Sequence, residues 1–174
     1  AANAEKLGID PTQIGVGGDS AGGNLAAGVA IKARDTQDVN LAFQLLIYPC
    51  NDNEMNYDSA YNNATGYGLS TQAMKWFWEQ YLSKKSDAKN PYAVPAAAKD
   101  FSNLAPAIIT TAEFDPLLDD GYIYAELLRK SGVPTVYREY EGVIHGYFTL
   151  AGVTDEAIVL HQQVSDEINA LLNR

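Results

Sequence analysis

Cysteine is nearly absent from this 174-residue chain: Cys50 stands alone. No internal disulfide can form, and no cysteine-based metal cluster can be built. Basic residues are scarce too. Lys and Arg number 12 against 22 Asp and Glu, a net charge of −10. Such a balance gives no electrostatic footprint for nucleic acid or for an anionic membrane surface. No apolar run approaches the roughly 20 residues that span a bilayer. No internal repeat or low-complexity tract appears. The remaining composition, 47% hydrophobic with 14 Gly and 7 Pro, is that of a globular chain of a length suited to one core. The chain opens on Ala1-Ala2 without Met, so the lack of a visible signal peptide says little about targeting. A cytoplasmic location is the expectation.

Strand-like runs alternate with helical ones. Gln13–Gly17, Leu41–Tyr48, Pro106–Ala112 and Thr135–Tyr140 are short apolar runs bounded by Gly or Pro. Near-continuous apolar strands joined through helices predict a mostly parallel sheet covered on both faces. Leu25–Arg34 is Ala-rich and helical in pattern. Ser70 can cap a helix that carries Met74, Phe77, Trp78, Tyr81 and Leu82 at three- and four-residue spacing. Gly121–Lys130 stops at Ser131-Gly132. Thr154 opens a last helix with a core-facing stripe from Ala157 to Leu172. Asn51–Gly68 and Lys84–Asn103 break the alternation and read as excursions over the sheet end.

Gly18-Asp19-Ser20-Ala21-Gly22 fits Gly-x-Ser-x-Gly, the nucleophile elbow. Its chemistry needs a strand that turns sharply into a helix, so that the serine hydroxyl stands exposed in a strained turn. Glycine on both flanks is expected to remove Cβ atoms that would clash. The helix that follows points its first amides at the same spot, and the N–H of Ala21 is then placed to receive an oxyanion. A glycine-rich turn with a capping serine that binds a phosphate is the plainer alternative. No Gly-Lys-Ser/Thr is present, and Gly15–Ser20 fails the dinucleotide fingerprint at its last position.

Two histidines are available. His161, flanked by Gln162 and Gln163, reads as a surface residue. His145 lies in Gly142-Val143-Ile144-His145-Gly146, past the fourth strand, where the glycines are expected to make room for another group. A histidine base needs a carboxylate to hold its tautomer. Asp115, before Pro116 at the end of the third strand, is placed at the sheet rim where the elbow emerges. The order Ser20, Asp115, His145 is that of the α/β-hydrolases. Among the rival carboxylates, Glu113 falls two residues deeper on the same strand, and Asp119 and Asp120 begin the next helix. Asn51–Glu54 fails as a calcium loop, with Tyr57 and Asn63 where Gly and Glu belong. Asn63-Ala64-Thr65 is a glycosylation sequon, meaningful only in a secreted eukaryotic protein.

Taken together, Gly17–Ala27, Tyr48-Pro49, Gly66-Tyr67, Met74–Phe77, Phe114–Leu117 with Asp119 and Gly121, and Ile144–Phe148 resemble the hormone-sensitive-lipase family of α/β-hydrolases, in its bacterial esterase branch. The resemblance covers nearly the whole chain in family order. It implies a partial three-layer α/β fold with four mostly parallel strands, residues 1–174 forming the C-terminal part of one catalytic domain. It implies hydrolysis of short- to medium-chain carboxylic esters through an acyl-enzyme, with Ser20 as nucleophile, His145 as base then acid and Asp115 as orienter. The implied partner is a small ester, and neither cofactor nor metal is implied. Leu117, Leu118, Ile144 and Phe148, close in sequence to these residues, are expected to line the substrate pocket. A non-catalytic protein on the same scaffold and a peptidase using the same residues are the alternatives.

The resemblance has one gap. The family's His-Gly-Gly-Gly stretch, which completes the oxyanion hole, occurs nowhere in the chain. The first strand, Gln13–Gly17, would also stand as an unpaired edge. The expectations are a fragment, or a chain whose edge pairs with a second copy or a partner, and poor activity in isolation.

Overall fold

A computed structural model describes residues 1–173. Four strands lie side by side in chain order: β1 (Val16–Asp19), β2 (Gln44–Ile47), β3 (Ala107–Phe114) and β4 (Thr135–Ile144). Every pairing is parallel, with Val16 opposite Gln44, Gln44 opposite Ala107 and Ala107 opposite Thr135. Six α-helices connect and flank them: α1 (Ala4–Leu7), α2 (Ala21–Thr36), α3 (Asp58–Asn62), α4 (Thr71–Tyr81), α5 (Leu118–Lys130) and α6 (Asp155–Leu172).

The apolar alternation of the strands decides which helix covers which face. Leu46 and Ile109 meet Ala27 and Ile31 of α2 and Tyr124 and Leu128 of α5. Ile47, Ile108 and Ala112 meet Leu160 and Val164 of α6 on the opposite side. A third apolar cluster, with Met55, Tyr57, Met74, Trp78, Val94 and Leu117, fills the space under the excursion between β2 and β3. The caps read from the sequence are formed: Ser70 Oγ accepts from the Ala73 N–H at 3.1 Å, and Thr154 Oγ1 accepts from the Glu156 N–H at 3.2 Å.

Strand bounds differ from expectation by a few residues: β2 starts at Gln44 rather than Leu41, β3 runs on past Ala112 to Phe114, and the two outer strands shift as well. β1 begins at Val16 rather than Gln13, because Pro11–Gln13 closes a 3₁₀ turn whose cap, Asp10, accepts from the Thr12 N–H. β4 continues past Tyr140 to Ile144, through a register irregularity opposite Ala112 and Phe114. The excursion is tied to the start of α5. Asp120, fully buried, accepts from the N–H groups of Asn51 and Asp52 at 2.8 and 3.1 Å, and Asp119 accepts from the Ser59 N–H at 2.7 Å. Among the described residues no helix is long and apolar enough to cross a membrane.

Candidate active site

β1 delivers the chain to Ser20, whose backbone takes φ 53° and ψ −119° before α2 begins at Ala21. A non-glycine residue in this region costs on the order of 1–3 kcal/mol and persists only where its surroundings over-determine it. Here the Ser20 N–H still donates to the Ile47 carbonyl at 2.9 Å, and the Ser20 carbonyl accepts from Asn24 as the first bond of α2. The glycine requirement is distributed differently from the expectation. A Cβ on Gly18 would lie 2.4 Å from the carbonyl of Gly22, whereas a Cβ on Gly22 would find its nearest atom, Asp19 Oδ1, at 3.9 Å. The crowded partner of Gly18 is Gly23, against Pro49 at 3.0 Å. Of the two glycines that flank the serine in the motif, the one that must lack a side chain is therefore Gly18, on the strand side.

Asp115 leaves the end of β3 fully buried, and His145 follows the end of β4. His145 Nδ1 stands 2.6 Å from Asp115 Oδ2, and its Nε2 stands 2.8 Å from Ser20 Oγ. The carboxylate can only accept, so Nδ1 carries the proton and Nε2 is left to accept from the serine hydroxyl. Asp115 is held in turn by the Leu117 N–H on Oδ1 at 2.8 Å. The glycines beside His145 do not make room: no atom lies within 4 Å of where their Cβ atoms would be. Gly142 and Gly146 instead supply left-handed turns, at φ 74° and 87°, which L side chains seldom adopt.

Each rival carboxylate is occupied elsewhere. Glu113 accepts from the Gly142 N–H at 2.7 Å, fixing the segment that leads to His145. Asp119 and Asp120 do begin α5, and they also anchor the excursion. Burial pushes the Asp120 carboxyl up to about 8, against the opposing pull of the two amides it accepts from. His161 is exposed as expected, with Nε2 3.0 Å from the Phe148 carbonyl. Burial pushes the Cys50 thiol up to about 12, which leaves it protonated and inert.

Two contributors near the site were not legible as such. Asn63, the sequon asparagine, turns inward and donates from Nδ2 to the carbonyls of Glu113 and Asp115 at 3.0 and 3.2 Å. Tyr48 sets its ring 4.6 Å, centroid to centroid, from the imidazole of His145.

An apolar cavity of about 480 Å³ opens beside Ser20 and Ala21. Its walls are Leu25 of α2 and Leu69, Met74, Phe77, Trp78 and Tyr81 from the segment containing α4. The expected lining of Leu117, Leu118, Ile144 and Phe148 is not found there. Leu117 is fully buried in the core of the excursion, and Leu118 lies with Glu113 and Asp119 at a separate shallow depression. Ile144 is partly exposed at the end of β4, and Phe148 packs on His161. Nearness in sequence to Asp115 and His145 misled here. α4, distant in sequence, folds back over the elbow and presents the aromatics that its periodicity marked only as packing.

The sequence pattern of a family described as alpha/beta hydrolase fold matches residues 1–149. An ethyl acetate hydrolase of Pseudomonas putida is 35% identical over 155 residues, which are 88% of this chain and 49% of that protein. The carboxylesterase NlhH of Mycobacterium tuberculosis is 40% identical over 158 residues, 89% of this chain and 50% of its own length. The chain thus spans about half the length of the curated relatives it matches. Among solved structures, a hyperthermophilic esterase from the archaeon Pyrobaculum calidifontis superposes with a TM-score of 0.91 at 42% identity, over 98% of this chain and 55% of the other.

Proposed function

This chain belongs to the alpha/beta hydrolase fold family, and from that membership we propose that residues 1–174 lie within one catalytic domain of a carboxylesterase that acts on small esters of short- to medium-chain acids. The observation that supports the reading is the unbroken line from Asp115 through His145 to Ser20, at 2.6 and 2.8 Å. The similar proteins from P. putida and M. tuberculosis bear the names of ester hydrolases, which agrees with it.

In this reading His145 Nε2 takes the hydroxyl proton as Ser20 Oγ attacks the ester carbonyl. A C–O bond forms, and the carbonyl π pair moves onto oxygen, where the Ala21 N–H at the start of α2 meets it. Collapse breaks the bond to the alcohol, which leaves with the proton from Nε2. Water then loses a proton to Nε2, attacks the acyl-enzyme and releases the acid, and the proton returns to Ser20. Asp115 keeps the proton of Nδ1 in place and stabilises the imidazolium without becoming protonated. The apolar cavity takes the acyl chain, and its size falls in the range usual for small-molecule pockets. One oxyanion donor is worth about 10²–10³ in turnover. Ala21 is the donor assigned here, so the 174-residue chain by itself is expected to turn over slowly.

The test uses this chain with a nitrophenyl phosphonate and with matched nitrophenyl butyrate and butyranilide. Labelling of Ser20 in the parent, its loss in Ser20→Ala, and cleavage of the ester over the anilide are the expected results. An unlabelled but folded parent would overturn the nucleophile assignment, and preference for the anilide would replace esterase by peptidase. Phe77→Ala, at a half-exposed wall position, should shift the preference toward longer acyl chains; an unchanged chain-length profile would remove the cavity from the reading.

A further inference from the structure

We infer that Tyr48 is a positioning residue for His145, its ring acting as a rigid wall that keeps the imidazole aligned between Asp115 and Ser20 while it carries the proton. The inference rests on the proposed role of His145 as base.

Side chains alternate along a strand, and β2 obeys this up to Ile47: Leu45 and Ile47 face α6, while Leu46 faces α2 and α5. The next side chain should rejoin Leu46. Instead Tyr48 takes φ 36°, a region that L residues seldom adopt, and its ring joins the Ile47 side. The ladder continues through the break, since the Tyr48 N–H donates to the Thr110 carbonyl at 2.7 Å. The strain therefore redirects one side chain and changes little else. Where it sends the ring is against His145, with centroids 4.6 Å apart and planes inclined by 55°.

The ring is fully buried and braced from behind. Tyr147 lies 5.7 Å from it, and Tyr140 lies 5.4 Å from Tyr147. A plain filler of the core would not need the strained backbone, and the contact with His145 is made through the ring. The aromatic body is thus the functional part. The bonds to Asp115 and Ser20 fix the two ring nitrogens and leave rotation about the line between them to be set by packing. A braced ring beside the imidazole supplies that packing, and it also attracts the cation that forms when Nε2 gains the proton.

Three variants test this: Tyr48→Phe, Tyr48→Leu and Tyr48→Met. For each, the phosphonylation rate of Ser20, kcat and KM on the ester, the melting temperature, and the low-field NMR signal of the His145 Nδ1 proton are measured. Both ring-less variants are expected to label and turn over about tenfold more slowly at unchanged KM, with the Nδ1 signal broadened. Tyr48→Phe restores the ring and should recover the parent rate and signal. Ring-less variants that fold and label at the parent rate would overturn the inference while leaving Ser20 and His145 in their roles. So would a Tyr48→Phe protein about tenfold slower than the parent, a result that stays decisive if the Leu and Met proteins fail to fold. A parent that does not label would instead count against the esterase reading itself.

Discussion

A methyl group on Gly18 has nowhere to go. Both atoms it would strike, at 2.4 Å, belong to the Gly22 carbonyl, and backbone in the first turn of α2 cannot step aside without opening the elbow. Gly18→Ala should cost about 3 kcal/mol or more, beyond the usual range for an inserted methylene, and should abolish labelling of Ser20. Gly22→Ala should stay within about 1 kcal/mol of the parent, since its Cβ meets only ordinary contact and Ala reduces the freedom of the unfolded chain. Denaturant midpoints and phosphonate labelling of the two proteins check this, and equal losses in both would refute it. Ser20 and its turn were legible because the elbow concentrates its geometry in five consecutive residues. Asn63 was not, because the carbonyls it serves, those of Glu113 and Asp115, lie about a third of the chain away and leave no local pattern. Asp115 and His145 were singled out by strand ends and chain order, and the structure brings both to hydrogen-bonding distance in line with Ser20.

At the scale of elements, the joint between the excursion and α5 turns on Asp120. Its carboxyl is raised to about 8, chiefly by burial, so the folded protein holds a proton there that the unfolded chain releases near pH 4. Stability from this proton is fully present below the unfolded value and is lost as pH rises toward about 8, above which the curve is flat. Asp120→Asn keeps an oxygen for the amides of Asn51 and Asp52 and titrates nowhere in that window. Urea midpoints of parent and variant from pH 5 to 9 should therefore diverge, the parent falling more steeply with pH and the variant the more stable at pH 9. Parallel curves would show that the amide bonds, not burial, govern the carboxyl. Helix boundaries at α4 and α6 were readable because Ser70 and Thr154 cap them with their own hydroxyls. The role of Asp120 was not, since an acidic residue in a first helical turn already has an adequate local explanation in the helix dipole.

Across the whole molecule, alternation of apolar strands with helices was enough to read a parallel sheet covered on both faces, because the central strands β2 and β3 bury both of their sides. The cavity was beyond reach, since it depends on where α4 lies over the elbow and not on how α4 is written. The sheet also carries a consequence at its rim. Among the described residues β1 has one strand neighbour, β2. The amides of Val16 and Ser20 donate to Phe43 and Ile47 on that side, so those of Gly17 and Asp19, by alternation, point off the free edge. Such an edge is a template for pairing with a second copy or another chain. Copies that each carry a net charge of −10 repel, and salt screens the repulsion over about 10 Å at 0.1 M. In hydrogen exchange at low salt and low concentration, Gly17 and Asp19 should exchange like loop amides while Val16 and Ser20 stay protected. Raising salt and concentration together should increase the sedimentation coefficient and bring protection to Gly17 and Asp19. A single sedimenting species under all conditions, with those two amides always open, would show that the edge is protected by its own brevity and not by a partner strand.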